Sequence, residues 1–485
     1  MTPTPGVAAV PLLLVGLVAG ISWRGAGPTL LIFGGCLCVV GVAYRRKPVA
    51  RTCALVTVSF TLGSLLASFW VPDRSLLDDL ARDATRCKLE GRVLEQAGKL
   101  GTLLSVARIR CEERETTTSG GVVVTDSKRA DPGAAYVAEG LLTGLRNGSF
   151  DRARRRLGVN VALHAKTFRT GAIDSPLQRS AAAIRRSLRT SVESLDPHRG
   201  AVLLGLTIGD TSGIDDRTSE SLRRAGLSHL LAVSGSNVAI VLGALAWLTR
   251  RRSVPVRVLA GALGLGIFVI TVGPEPSVLR AGAMGAVTLV ALAYGRSTEP
   301  LRALPAALLV VLCARPLLVH SVGLQLSAAA TAGIVLWTDP VARRVGFLPR
   351  SVALGLAVTV AAQVAVAPLL IGTFGELSVV APVSNLLALA AVPPATVLGS
   401  LAAVVGLVDP ASGTALASLA SPFAGWIAAV GKVFGAPSWS SVQLASGWAP
   451  LFGGVVVILA GVAWRARERG EVAGTKSREA AGEVA

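Results

Sequence analysis

The feature that most constrains this chain is a succession of apolar runs, too long and too many for the interior of a soluble domain. Three fall at about 7–22, 28–44 and 52–71. Nine more follow at about 227–249, 255–273, 277–294, 301–314, 317–337, 350–372, 379–408, 412–435 and 448–464. A run of about 18 or more apolar residues is long enough to cross the hydrocarbon layer as a helix. The pattern predicts a polytopic α-helical membrane protein with about twelve transmembrane helices. The run at 301–314 is short for a span and reads as broken or re-entrant. The run at 379–408 is long and interrupted by Pro393-Pro394, so it reads as two half-helices. Composition agrees: 52% of residues are hydrophobic, only 16% are charged, and mean hydropathy is +0.60. The first run has no basic stretch before it and a second run follows at once, so it reads as a retained helix, not a cleaved signal.

Charge then sets orientation. The formal net charge is +19, but the 26 Lys/Arg against 20 Asp/Glu between Asp73 and Gly226 account for only a small part of it. The remainder sits in short loops and tails, where it orients helices. Arg45, Arg46, Lys47 and Arg51 separate the second and third runs. Arg250, Arg251, Arg252 and Arg257 follow the fourth, Arg296 and Arg302 the sixth, Arg343, Arg344 and Arg350 the eighth, and Arg465, Arg467 and Arg469 the last. With both termini cytoplasmic, every cluster falls inside. The expected location is the plasma membrane, with the polar stretch after Trp70 extracytoplasmic.

That stretch divides the chain. Residues 1–72 are N-terminal transmembrane helices. Residues 73–175 carry five short β-like pieces, Cys87–Leu94, Thr102–Arg110, Gly121–Thr125, Tyr136–Thr143 and Gly158–Lys166, separated by Gly, Asp and Pro clusters. They predict a small extracytoplasmic β-barrel, OB-like, with Glu112–Gly120 and Asp126–Gly133 as exposed loops. Cys87 and Cys111 are the only cysteines of this domain. Outside the cytoplasm they can form a disulfide; the alternative is two reduced core thiols. Residues 176–226 hold an amphipathic helix and a linker loop. Leu177, Ala181, Ile184, Leu188, Val192 and Leu195 form its apolar stripe, and Arg179, Arg185, Arg186 and Arg189 lie off it. It lies on the membrane surface or packs on the β-domain. Residues 227–465 form the helix bundle, and 466–485 a low-complexity cytoplasmic tail read as disordered.

Polar groups inside the bundle mark candidate sites, because they are costly in hydrocarbon unless they face a partner or a wet path. His229, Ser234, Gly235, Ser236 and Asn237 interrupt the fourth run, just after the polar loop that holds Asp210. Arg280 lies about one turn inside an apolar run; Gln325, Gln363 and Asn385 sit in others. Helix breaks are expected at Gly273-Pro274, Pro276, Pro368 and Pro382. A single Gln or Asn reads better as interhelical glue; the set together with Arg280 reads as a polar path, the alternative for Arg280 being that it snorkels to the outer surface.

Other chemistries find little support. The nearest match to a phosphate loop, Gly425–Lys432, has one residue too many and no Ser/Thr after its lysine. No HExxH motif occurs among four histidines, His164, His198, His229 and His320. An intramembrane hydrolase would need Ser234 and a base in reach, but His229 lies five residues away on the same run and points elsewhere. No enzyme activity, metal or cofactor is expected.

The stretch SLRRAGLSHLLAVSGSNVAIV, with its Ser-Gly-x-Asn-Val core, resembles the signature of the ComEC competence proteins. LLGLTIGDTSGID, PSVLRAGAMG, RPLLVHSVGLQLSAAATAGI, AAQVAVAPLLIGTFGELSVVAPVSNLLALAAVPP and NGSFDRARRRLGVNVALHA resemble family segments in the right order. The likeness runs from the β-domain to about Gly399. Many members have histidine where this chain has Asn237, and many carry a C-terminal metallo-β-lactamase-like domain that is expected to be lacking here.

The resemblance implies a channel that passes single-stranded DNA across the plasma membrane in natural transformation. Asp210, His229, Ser234, Gly235, Asn237, Arg280, Gln325, Gln363 and Asn385 are then candidates for the DNA path. It also implies partners: single-stranded DNA, the lipid bilayer, a DNA receptor protein, a cytoplasmic ATPase or helicase motor, a separate nuclease, and a second copy of the chain in a homo-oligomer. The alternative from the broken helices is a permease or exporter for a small polar solute. Only Tyr136, Phe150 and Phe168 are available in the β-domain for base stacking.

Overall fold

The computed structural model describes residues 81, 85–96, 102–111, 114–125, 131–144, 161–173, 175–231, 233, 235–273, 275–296 and 300–456. The expected spans before residue 72, the tail from 466, Ser234 and Phe150 lie outside the described residues.

Five strands come first: β1 (Arg86–Gln96), β2 (Thr102–Cys111), β3 (Arg114–Thr125), β4 (Ala134–Gly144) and β5 (Val161–Ile173). Helices follow: α1 (Pro176–Val192), α2 (Pro197–Ile208), α3 (Asp216–Arg224), α4 (Ser228–Leu231), α5 (Gly235–Leu248), α6 (Val254–Val272), α7 (Pro276–Ala293), α8 (Pro300–Ala314), α9 (Val322–Arg344) and α10 (Arg350–Phe374). Then come β6 (Glu376–Ser378), α11 (Ala381–Leu389), α12 (Val392–Val405), α13 (Pro410–Gly435) and β7 (Ser441–Gln443). The residues fall into two compact units. One takes in the chain up to Ile214, Leu230–Leu324 and Pro394–Pro422; the other takes in Asp215–His229, Gln325–Pro393 and the chain from Phe423.

In the first unit the strands close into a barrel of order β1-β2-β3-β5-β4, antiparallel except for the parallel pair of β3 with β5. Alternation explains the core: Leu89, Leu104, Ile109, Ala138, Leu142 and Leu163 turn inward and are fully buried. Closing so few strands needs sharp coiling, and glycines supply it where the register shifts. A Cβ on Gly91 would lie 2.0 Å from the Ser105 carbonyl oxygen, and one on Gly140 2.0 Å from that of His164. Cys87 and Cys111 are opposed across β1 and β2 with Cα atoms 4.2 Å apart, and a disulfide joins them. The barrel corrects two expectations. Glu112–Gly120 is not a free loop, since β3 begins at Arg114, with Glu115 opposite Arg110 of β2; pairing overrides polarity here. Tyr136 is buried in the core with Phe168 stacked 6.2 Å from it, so neither ring offers a platform for bases.

α1 buries Ala181, Leu188 and Val192 as the stripe requires, and packs against β5, α2 and α6. Four helices among the described residues are long and apolar enough to cross a membrane: α6, α7, α10 and α13. The pair α11 and α12, bent by 50° at its break, makes a fifth if it counts as one span. α5 and α8 are apolar but short, with 14 and 15 residues. α6 shows why hydrocarbon suits the outside of these helices. Leu265, Phe268 and Val272 pack inward with Val233 and Val278, while Leu259 and Leu263 on the opposite side are 60% and 58% exposed. Both faces are apolar, which suits lipid outside and protein inside.

In the second unit, small residues bring helices close. Ala353, Ala357, Ala361 and Ala365 form a buried stripe on α10, and a Cβ on Gly333 of α9 would lie 2.5 Å from that of Ala365. α10 continues through Pro368 instead of breaking there. β6 and β7 pair as a short antiparallel ribbon.

Candidate functional site

The interrupted signature helix begins at the end of α2. Asp196 caps the start of α2 by accepting from the Arg199 N–H. Gly209 ends α2 in the left-handed region, at φ 74°, its N–H returning to the Gly205 carbonyl. The next residue, Asp210, organises the turn. One carboxylate oxygen accepts from the Ser212 hydroxyl at 2.7 Å and its N–H at 3.3 Å; the other accepts from Arg189 Nε at 3.1 Å. The Leu206 carbonyl, in the last turn of α2 and without an intrahelical donor, accepts from Asn237 Nδ2 at 2.8 Å. Asn237 is 0% exposed, so a side chain of α5 caps the C-terminus of α2.

Between α4 and α5 the chain breaks. The Val233 carbonyl, fully buried at the break, accepts from the Ser277 hydroxyl at 2.9 Å. α5 restarts at Gly235, and Arg280, one turn into α7, lies against it. A Cβ on Gly235 would stand 2.3 Å from Arg280 Nη2. Arg280 is 5% exposed, and its Nη1 approaches the Met284 sulfur at 3.2 Å. A buried guanidinium in a spanning-length helix is thus seated against the backbone at Gly235.

The same unit ties barrel to helices by charge. Arg185 of α1 donates through Nε to Asp131 at 3.2 Å and through Nη1 to the Thr271 carbonyl, in the last turn of α6, at 2.9 Å. Arg189 bridges Asp131, at 3.5 Å, and Asp210. Burial pulls the Arg185 guanidinium below its ordinary pKa, and Asp131 opposes that pull.

The second unit builds its own polar cluster where α3 ends. Carbonyls of Arg224 and Ala225 accept from the hydroxyls of Ser378 (2.7 Å) and Ser384 (2.6 Å). The Gly226 carbonyl accepts from His229 Nδ1 at 3.1 Å and Asn385 Nδ2 at 3.5 Å. Gly226 itself is left-handed, φ 76°, and a Cβ there would lie 2.5 Å from that of Ala381. Arg223 pairs with Glu220 and Glu376, and Gln363 donates to the Ser378 carbonyl at 3.2 Å. Gln325 is half-buried in the first turns of α9.

The expected site residues therefore form two sets. Gly235 and Arg280 touch, with Asn237 and Asp210 both bonded around the end of α2. His229 and Asn385 meet on one carbonyl, and Gln363 reaches the adjacent ribbon. Ser277, Arg185, Arg189, Asp131, Ser378 and Ser384 were not singled out for these bonds. The arginines lay off the apolar stripe, and hydroxyls that answer helix-end carbonyls have no signature of their own. Among the described residues no cluster of three or more His, Cys, Asp or Glu could hold a metal.

Spanning-length helices with lipid-suited outer faces, broken by a polar, glycine-seated junction and joined to a β-barrel, define a helical membrane protein with an attached barrel domain. Residues 206–467 match the family model described as competence protein, more than half of the 485 residues, and the chain belongs to that family. It is 28% identical over 198 residues to ComE operon protein 3 of Bacillus subtilis (strain 168), covering 40% of this chain and 25% of that one. It is 27% identical over 288 residues to the uncharacterized protein YcaI of Escherichia coli (strain K12), covering 54% and 36% respectively. The chain thus spans well under half the length of these curated relatives. No solved structure matches.

Proposed function

We propose that the chain acts in DNA uptake as a membrane channel that passes single-stranded DNA. The observation that carries this reading is Arg280: a cation one turn inside a spanning-length helix, seated against Gly235 at the break of the signature helix. An intramembrane arginine is costly and marks an ion or substrate path by default. A polyanion needs cationic or polar groups along its route. Asp210, Ser234, Gly235 and Asn237 belong to this junction in the proposal. His229, Gln325, Gln363 and Asn385 are the corresponding polar residues of the second unit. Asp210, bonded to Arg189 and Ser212, has a positioning role, not a phosphate contact.

The closed strand order β1-β2-β3-β5-β4 supports an OB-like identity for the barrel, and the Cys87–Cys111 disulfide supports an oxidising, extracytoplasmic side for it. The loop arginine clusters support about twelve spans with both termini inside. A receptor, a motor ATPase, a nuclease and a homo-oligomer enter this reading on the family resemblance.

The test is transformation with linear DNA in a naturally transformable host of the gene. Arg280→Ala should reduce transformant yield by at least about tenfold, the effect of roughly 1.4 kcal/mol, at unchanged protein abundance in the membrane. Unchanged yield would sink the reading. DNA-independent flux of a small solute through the purified protein would replace it with the permease.

A further inference from the structure

α1 carries two pairs of arginines on different faces. Arg185 and Arg189, four residues apart, turn onto Asp131 and Asp210. Arg179 and Arg186, seven apart, share another face and are both exposed. They line a cavity of about 370 Å³ whose opposite wall is the end of β5, Thr170–Ile173. That volume lies within the range of small-molecule sites, about 300–1,000 Å³. The carboxylate among its lining residues, Asp131, is held by Arg185 at 3.2 Å and Arg189 at 3.5 Å. The cavity therefore presents positive charge.

Its depth follows from one bond. Arg185, the neighbour of Arg186, holds the carbonyl of Thr271 at the end of α6, a helix of spanning length and hydropathy. The cavity accordingly lies near the level where α6 leaves hydrocarbon. Two arginines and a positive pocket at this level match an anionic headgroup at the membrane surface. The lining residues include no aromatic ring, so nucleobases would have nothing to stack on.

We propose that this cavity binds the phosphate headgroup of an anionic phospholipid, with Arg179 and Arg186 as its cationic contacts. The inference rests on the membrane character of α6 and not on DNA transport.

The full chain, purified in a non-ionic detergent, is titrated with dihexanoyl-phosphatidylglycerol and, separately, with dihexanoyl-phosphatidylcholine, with binding followed by calorimetry. The expected result is saturable binding of the glycerol lipid and none of the choline lipid. The double variant R179Q/R186Q should bind about thirtyfold more weakly, since each arginine near an anionic headgroup contributes a factor of about five. If that variant does not elute as folded protein, R186Q alone should show about a fivefold loss. Equal binding of the two lipids, or undiminished binding in the variants, overturns the proposal. So does inorganic phosphate that binds as tightly as the glycerol lipid, which would make this a free-phosphate site. So too does a ten-residue oligothymidine that displaces the lipid at lower concentration, which would make it a nucleic-acid contact.

Discussion

Replacing Gly235 with alanine should destabilise the protein only while Arg280 is present. In the native chain the new methyl would stand 2.3 Å from Arg280 Nη2, 3.4 Å from Cζ and 3.5 Å from the Ala281 Cβ. The guanidinium is buried and approaches Met284 on its own helix, so its end must shift to make room for the methyl. Overpacking of this kind costs about 1–3 kcal/mol. At the first position of a helix alanine gains little over glycine, and Gly235 opens α5 with ordinary φ. The net loss should be about 1–3 kcal/mol. With Arg280→Ala already in place the obstacle is gone, and the same substitution should change stability by no more than about 0.5 kcal/mol. The two pathways differ by about 1–3 kcal/mol, a coupling that a double-mutant cycle resolves. Equilibrium unfolding by SDS in mixed micelles measures all four proteins. The same sign and size of effect in both backgrounds would refute the seating of Arg280 on Gly235.

Asn237→Ala leaves the Leu206 carbonyl buried without its donor and should destabilise by about 1–3 kcal/mol in the same assay; a change within error would mean that water replaces the amide. Arg185→Lys cannot reproduce bonds to both Asp131 and the Thr271 carbonyl from one compact ammonium. Limited proteolysis should then cut between β5 and α1 faster than in the native protein, and Arg185→Ala should do so at least as fast. Cys87→Ser opens a disulfide of sequence separation 24 and should cost the barrel about 3 kcal/mol on the loop-entropy scale. Protection of β1 and β2 amides from hydrogen exchange reads that loss, and should fall no further when reductant is added to the variant.

Length and hydropathy made most helices legible, because a span must be nearly all apolar for about twenty residues. α6, α7, α10 and α13 begin and end within a few residues of the runs that announce them. The division of 379–408 was also readable, though α12 starts at Val392 and carries Pro393 and Pro394 in its first turn. Proline is tolerated there since those N–H groups have no partner anyway. At Pro368 the expectation of a break fails: α10 runs through it from Arg350 to Phe374, which a proline in a spanning helix permits when nearby groups take up the freed carbonyl. The apolar run from 227 to 249 predicts one helix, yet it is α4, a break, and α5. The break is maintained by Ser277 on another helix, a contact that local sequence does not record. Arg185 shows the same limit most clearly. By period it belongs on a wet face, but Asp131, 54 residues earlier, draws it into the interior. The candidate residues were found as types, as polar groups inside apolar runs. Their grouping into two separate sets depends on contacts between residues far apart in the chain, such as Asn237 with Leu206 and Asn385 with Gly226.

The bond from Arg185 to the Thr271 carbonyl also has a consequence for the order of synthesis. β5 lies beside β3 and completes the barrel, so that domain can close once residue 173 is clear of the ribosome. The carbonyl that holds α1 lies 86 residues after Arg185. At about 5–20 residues per second this is an interval on the order of ten seconds. For that time Arg185 and Arg189 have only the acids of the barrel and the α2 turn as partners, Asp131 and Asp210. The barrel can therefore be finished before the helix that receives it has been made, and a fault in placing α6 would leave a folded domain with nowhere to dock.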